Sequence, residues 1–211
     1  MASIKRSLLL AASLLLAAAP APALGEDGHG EELFELCVQC HGSQGAGNSE
    51  LLAPPIAGLS EWYIKEQLTK YRAGVRGNHP DDQAGLRMYP MSLYLDDDAD
   101  LEAVAGYVAN LPPAPPAAIL EGGDPARGKT LYAPCLACHG AQAEGLEALG
   151  GPNLRVSADW YMLRQLQNFK SGIRGADPRD VTGMRMRPMS MTLVDEQAMK
   201  DVVAYILTLR E

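Results

Sequence analysis

Past its first 23 residues the sequence has no apolar run long enough to cross a bilayer. Basic residues are scarce: 18 Lys and Arg stand against 26 Asp and Glu, for a formal net charge of −8. A chain this short of cations lacks the clustered Lys and Arg that a phosphate backbone demands, which argues against nucleic acid as a partner. The acidity is compatible with a basic protein partner, although acidity by itself mostly confers solubility. No stretch alternates apolar and polar residues as a half-buried strand does, so an all-α fold is expected. Histidine and cysteine number only four each, and their placement carries most of the information.

The one long apolar run lies at the N-terminus. Lys5 and Arg6 precede an unbroken run of Leu, Ala and Ser from Leu8 to Ala19, and Ala21-Pro22-Ala23 supplies a small-x-small cleavage pattern. The run is about 12 residues, shorter than a permanent spanning helix needs. Residues 1–23 therefore read as a signal peptide, with an uncleaved anchor as the alternative. Its removal leaves about 188 residues and takes the net charge to −10. In an exported chain four cysteines default to two disulfides, and that default has to be weighed against their spacing.

The chain is one unit written twice. Adding 98 to a position in the first half gives its equivalent in the second: Cys37, Cys40 and His41 map to Cys135, Cys138 and His139, Trp62-Tyr63 to Trp160-Tyr161, and Met88 to Met186. Between Cys37 and Leu111, 28 of 75 positions are identical to their counterparts without a gap. A period near 100 residues is a small domain rather than a solenoid repeat. Pro112-Pro113-Ala114-Pro115-Pro116 and Gly122-Gly123 separate the copies, a composition that reads as a semi-rigid linker. The expected organisation is domain 1 over 24–111, a linker over 112–123 and domain 2 over 124–211.

Three helices are expected in each copy: 31–38, 60–73 and 97–111 in the first, 126–136, 157–171 and 195–209 in the second. The middle helices stop at Gly74 and Gly172, and the last begin with acidic residues. Gly- and Pro-rich segments between them are expected to be loops. Such a domain has a thin core, and a large buried cofactor would supply the missing apolar contact.

The strings Cys37-Val38-Gln39-Cys40-His41 and Cys135-Leu136-Ala137-Cys138-His139 are the attachment signal for a c-type haem. Two thiols at this spacing can each add to one porphyrin vinyl group, and the next residue, histidine, then falls beneath the iron. A thioredoxin-like pair would sit in an α/β pattern, a zinc site would need four ligands, and plain disulfides leave the paired histidines unexplained. Two covalent haem c groups are expected, one per domain. For the sixth iron position each copy offers Met-x-Pro-Met-Ser: Met88 and Met91, then Met186 and Met189. A thioether there raises the reduction potential and closes the iron to outside ligands, whereas a merely structural methionine fills gaps in the core.

The order of Cys-x-x-Cys-His, proline, a Trp-Tyr helix, methionine and a last helix with tyrosine resembles class I cytochrome c. Two such domains in one exported chain resemble the periplasmic dihaem cytochrome c4 family, over essentially the whole mature chain. The resemblance implies that the methionine about seven residues before the apolar residue opening the last helix is the ligand. Those residues are Leu95 and Leu193, so Met88 and Met186 are selected, with Met91 and Met189 as alternatives. It implies that the carbonyls of Pro54 and Pro152 accept a hydrogen bond from the proximal imidazole. Arg76, Arg174, Arg87 and Arg185 are candidates for haem propionates or solvated loop residues, and Trp62 and Trp160 are expected in the core. His29 and His79, which have no histidine counterparts, read as surface residues.

An electron carrier with two six-coordinate haems is therefore expected, and not an enzyme. The alternatives are a dihaem enzyme of the peroxidase kind, or a fixed electron-transfer subunit of a larger oxidoreductase. The resemblance implies a redox protein donor, such as a bc1 complex or dehydrogenase, and a terminal oxidase or reductase as acceptor. It also implies a periplasmic location, with membrane association only through partners unless the N-terminal segment is retained. The cluster Asp96–Asp98 with Asp100, set against Val194, Asp195 and Glu196 in the second copy, predicts a lower potential for haem 1.

Overall fold

A computed structural model of the protein describes residues 28–210; the expected signal segment lies outside them. Among the described residues there is no strand, only two isolated antiparallel bridges, Asn48 with Ala53 and Leu146 with Gly151. The fold is all-α. In the first copy run α1 (His29–His41), α2 (Glu61–Arg72), α3 (Gln83–Ser92) and α4 (Asp98–Ala109). In the second run α5 (Pro125–Leu131), α6 (Leu136–His139), α7 (Asp159–Ser171), α8 (Val181–Met191) and α9 (Glu196–Leu207). No helix among them is long and apolar enough to cross a membrane.

Local chemistry sets the helix ends. Asp97 accepts from the Ala99 and Asp100 amides, Asp195 from Ala198, and Asp124 from Ala126 and Arg127 with Pro125 in the first turn, each cap contributing about 1 kcal/mol. The first helix runs unbroken through Cys37 to His41, while its counterpart is interrupted by a 3₁₀ turn, Ala133–Cys135. Pro134 stands there in place of Leu36; it lacks an N–H and its ring collides with the carbonyl one turn back.

In each copy the first and last helices cross in close contact, and the aromatic pairs Phe34–Tyr107 and Tyr132–Tyr205 lie at the crossings, with ring centroids 5.3 and 5.4 Å apart. The crossing needs glycine. A Cβ on Gly30 would lie 2.3 Å from the Ala103 carbonyl oxygen, and one on Gly128 would lie 1.9 Å from that of Asp201. Phe34, Ile64, Leu95, Leu101, Val104 and Val108 fill the first core. Tyr132, Met162, Leu163, Leu193, Met199, Val202, Val203 and Ile206 are prominent in the second.

The Met-x-Pro-Met-Ser segments, expected as loops, are helical: α3 and α8 contain them, with Pro90 and Pro188 inside. Each proline sits in the last turn, where its missing N–H forfeits one bond without breaking the turns before it. Asp82 and Asp180 cap these helices through the Gly85 and Gly183 amides at 3.0 Å. Trp62 and Trp160 belong to neither core cluster. They are half-buried and line two clefts, Trp160 against residues 46–55 of the first copy and Trp62 against residues 144–153 of the second.

The two copies are locked together crosswise. Gln67 Oε1 accepts from Arg76 Nη1 at 2.7 Å and from Arg174 Nη2 at 2.8 Å; Gln165 Oε1 accepts from Arg174 Nη1 at 2.8 Å and from Arg76 Nη2 at 3.2 Å. Arg76 also donates to the Tyr161 hydroxyl at 2.9 Å. The segment between the copies is pinned as well, since Asp159, 1% exposed, accepts from the Ile119 and Leu120 amides at 2.6 and 2.7 Å.

Candidate functional site

Each site is assembled from a helix end, a returning loop and a second helix. In the first copy Cys37, Cys40 and His41 occupy the last turns of α1, and Gly42 (φ 75°) turns the chain away. The Gly47 amide donates to the His41 carbonyl at 2.9 Å, and the Asn48–Ala53 bridge closes the loop. Its exit brings the Pro54 carbonyl oxygen to 2.8 Å from His41 Nδ1. The second copy repeats this: Gly145 N donates to His139 O at 2.8 Å, Leu146 bridges Gly151, and His139 Nδ1 lies 3.0 Å from the Pro152 carbonyl oxygen.

A carbonyl only accepts, so Nδ1 carries the hydrogen and Nε2 keeps its lone pair. Both imidazoles are buried, 6% and 5% exposed. Burial pulls their pKa values below the ordinary histidine value, and the proline carbonyls oppose this. A neutral, oriented imidazole with a free Nε2 is the form that binds a metal.

No disulfide joins the four cysteines, whose sulfurs are left for another bond. Burial, and then the neighbouring Cys40 or Cys138, push Cys37 and Cys135 up to about 11. Such thiols lack the depressed pKa of a redox-exchange pair. The methionines come from the second helix. Met88, Met91 and Met186 are half-buried, and Met189 is 38% exposed. The first turns of these helices pack against glycine: a Cβ on Gly77 or Gly175 would lie 2.4 Å from the Gly85 or Gly183 carbonyl oxygen. Arg87 and Arg185 pin the same helices to the returning loops, donating to Leu51 O at 2.7 Å and Leu149 O at 3.2 Å.

Arg76 and Arg174 are 6% and 8% exposed, and the Nε of each is buried without a hydrogen-bond partner among the described residues. Their positive field is felt at Tyr161: burial alone raises its hydroxyl, yet Arg76 and Arg174 outweigh it and the net direction is downward. Two buried guanidiniums with spare donors suit carboxylates. Apolar side chains stay uncovered at repeat-related positions, Leu51 with Leu149 (40% and 41%) and Leu93 with Met191 (49% and 52%). Free thiols, a neutral imidazole with an open nitrogen, thioethers, orphaned guanidinium donors and uncovered apolar surface fit a flat apolar macrocycle bearing a metal and carboxylates.

The non-repeated histidines have surface roles. His29 Nε2 lies 2.7 Å from Asp100 Oδ1, and His79 sits 3.8 Å from Asp81. Arg127, at the position equivalent to His29, reaches Asp201 at 2.6 Å, so each first helix is tied to its last by a side-chain contact to a carboxylate.

The family profile described as cytochrome c matches residues 29–112 and again 125–210. Cytochrome c4 of Thiocapsa roseopersicina is 31% identical over 194 residues, covering 85% of this chain and 91% of that one. The thiosulfate dehydrogenase electron acceptor of Stutzerimonas stutzeri is 30% identical over 165 residues, 73% of this chain and 72% of its own. Among solved structures, reduced cytochrome c4 from Pseudomonas stutzeri matches with a TM-score of 0.64 at 26% identity, over 87% of this chain and 98% of that one. A thiosulfate dehydrogenase (TsdBA) from Marichromatium purpuratum matches at 0.67 and 28%, but this chain spans only 39% of it. The fold and doubled site define a c-type cytochrome with two tandem domains that carry two covalent haem c groups and transfer electrons. The chain belongs to the cytochrome c family and, within it, to the dihaem cytochromes c4.

Proposed function

We propose that the protein is a diffusible periplasmic carrier of single electrons rather than an enzyme, exported by residues 1–23 and divided into domains 24–111 and 124–211 with a 112–123 linker. Cys37, Cys40, Cys135 and Cys138 would hold the haems through thioether bonds, and His41 with Met88, and His139 with Met186, would hold the irons. A haem iron held by histidine and methionine supplies a one-electron couple at raised potential. The residues around it keep each site rigid: Pro54 and Pro152 fix the imidazole planes, and Asp82 and Asp180 fix the methionine helices. Arg76 and Arg174 offer their spare Nε donors to the propionates. The observation that carries this reading is the sameness of the two sites, since neither copy departs from the other in the imidazole, its proline or the methionine offset.

The donor is a bc1 complex or a dehydrogenase, and the acceptor a terminal oxidase or reductase. Relatives include thiosulfate dehydrogenase electron acceptors and a cbb3-type oxidase subunit CcoP from Rubrivivax gelatinosus, 32% identical over 147 residues and 42% of that protein. The first supports a dehydrogenase donor; the second supports the alternative of a fixed oxidase subunit. Haem quantified per chain, with the optical spectrum of the ferric protein, tests the carrier reading. Two low-spin haems showing the far-red band of methionine ligation are expected. A high-spin haem, or one without methionine, would give an accessible iron and favour an enzyme.

A further inference from the structure

The two methionine-bearing helices are built alike and held differently. Asp180, 1% exposed, caps α8 through the Gly183 amide, and the same Oδ1 lies 2.7 Å from Lys70 Nζ, which comes from α2 of the other domain. Lys70 is itself 9% exposed and stands 3.0 Å from Glu66 Oε1. Thr182, in the first turn of α8, donates to that Glu66 oxygen at 2.8 Å and accepts from Lys70. Gln67 Nε2 donates to Glu66 Oε2 at 3.0 Å while its oxygen accepts from both arginines. The start of α8 is thus joined, bond by bond, to the centre of the domain interface.

None of this recurs around α3. The positions equivalent to Lys70, Thr182 and Glu66 hold Asn168, Ala84 and Arg164. Asp82, 6% exposed, caps α3 with no ion pair among the described residues. We propose that Lys70 is a positioning residue for Met186: domain 1 holds the methionine helix of domain 2, and domain 2 does not return the hold. The proposal rests on Met186 being the axial ligand. A buried carboxylate that loses its counter-ion is strongly penalised, so without Lys70 the first turn of α8 shifts toward water. Met186 lies six residues along from Asp180 and moves with it.

The test uses the ferric holoprotein and imidazole, which competes with methionine for the iron. Loss of the far-red band is followed against imidazole concentration, with each haem assigned by the nuclear magnetic resonance signal of its axial methionine methyl. In Lys70→Met, haem 2 is expected to bind imidazole about tenfold more tightly, equivalent to about 1.4 kcal/mol, while haem 1 stays within about twofold. Lys70→Arg restores the wild-type curve. Asp180→Asn keeps a capping oxygen but takes away the charge that holds Lys70, and gives a smaller rise, again at haem 2 alone, even where Lys70→Met does not mature. Equal changes at both haems, or none at haem 2, would overturn the proposal. A wild-type protein without methionine ligation at haem 2 would instead refute Met186 as ligand.

Discussion

The two domains share a scaffold and differ in almost everything that faces outward. Residues 29–111 carry 13 acidic and 5 basic side chains, a net −8, whereas residues 124–210 carry 9 and 11, a net +2. Yet both copies keep the glycine crossing, the imidazole–proline bond, the aspartate cap and the loop-pinning arginine at the same offset. Duplication has left the machinery that seats a redox group fixed and released the surface that a partner meets. The two surfaces therefore differ in the sign of the charge that they offer a redox partner.

The sharpest way to break the symmetry is at the methionines. Met88→Ala and Met186→Ala are each expected to remove half of the far-red ferric band, while Met91→Ala and Met189→Ala leave it whole. Loss of band in the Met91 or Met189 variants would move the ligand by three residues. Next come the glycine crossings. Gly30→Ala and Gly128→Ala force a Cβ into a backbone carbonyl, and such overpacking typically costs about 1–3 kcal/mol. The approach is closer at Gly128, so thermal unfolding should fall further there; the reverse order would show that the broken α5–α6 segment yields more easily than α1.

A smaller effect is expected in the potentials. The negative charge around haem 1 favours the ferric state, so a resolved redox titration should place haem 1 below haem 2. Equal or inverted potentials would mean that the interface arginines, shared by both sites, outweigh the surface. The smallest difference concerns acid. His29 and local amides hold Asp100 below the usual carboxylate range. The Asp124 amide, Gln197 and Arg127 do the same for Asp201 against its burial. A depressed carboxylate stabilises the fold above its unfolded pKa of about 4 and loses that contribution as pH falls through the folded value. Both helix ties should therefore loosen below pH about 4, and amide hydrogen exchange at the starts of α1 and α5 should rise there.

Much of the haem chemistry was legible because it is local. Cys-x-x-Cys-His is five consecutive residues, and the gapless 98-residue repeat made the second copy a check on the first. The hydrogen bonds to Pro54 and Pro152 were anticipated through family resemblance, and five of the six expected helices fell within three residues of expectation, while the sixth, 126–136, is broken at Pro134. The helices α3 and α8 were missed because the Gly- and Pro-rich segments that hold them were read as loops, when the stronger signal was the Asp-x-x-Gly cap at Asp82 and Asp180. Trp62 and Trp160 line the clefts rather than the core because the apposition of the two copies, not the period of either, decides what they face. The Arg76–Gln67–Arg174–Gln165 cross-link was invisible for the same reason: nothing in a one-dimensional repeat says which faces meet.

That cross-link has an evolutionary consequence. A duplicated domain ordinarily drifts on its own, but Gln67 accepts from a guanidinium of each half, and Lys70 answers a carboxylate in the other. A change in either copy is felt in its sibling. A gene cut back to the first copy would leave Lys70 without Asp180 and Thr182, Arg76 without Tyr161 and Gln165, and Gln67 without Arg174, so the two halves are bound to be inherited as one.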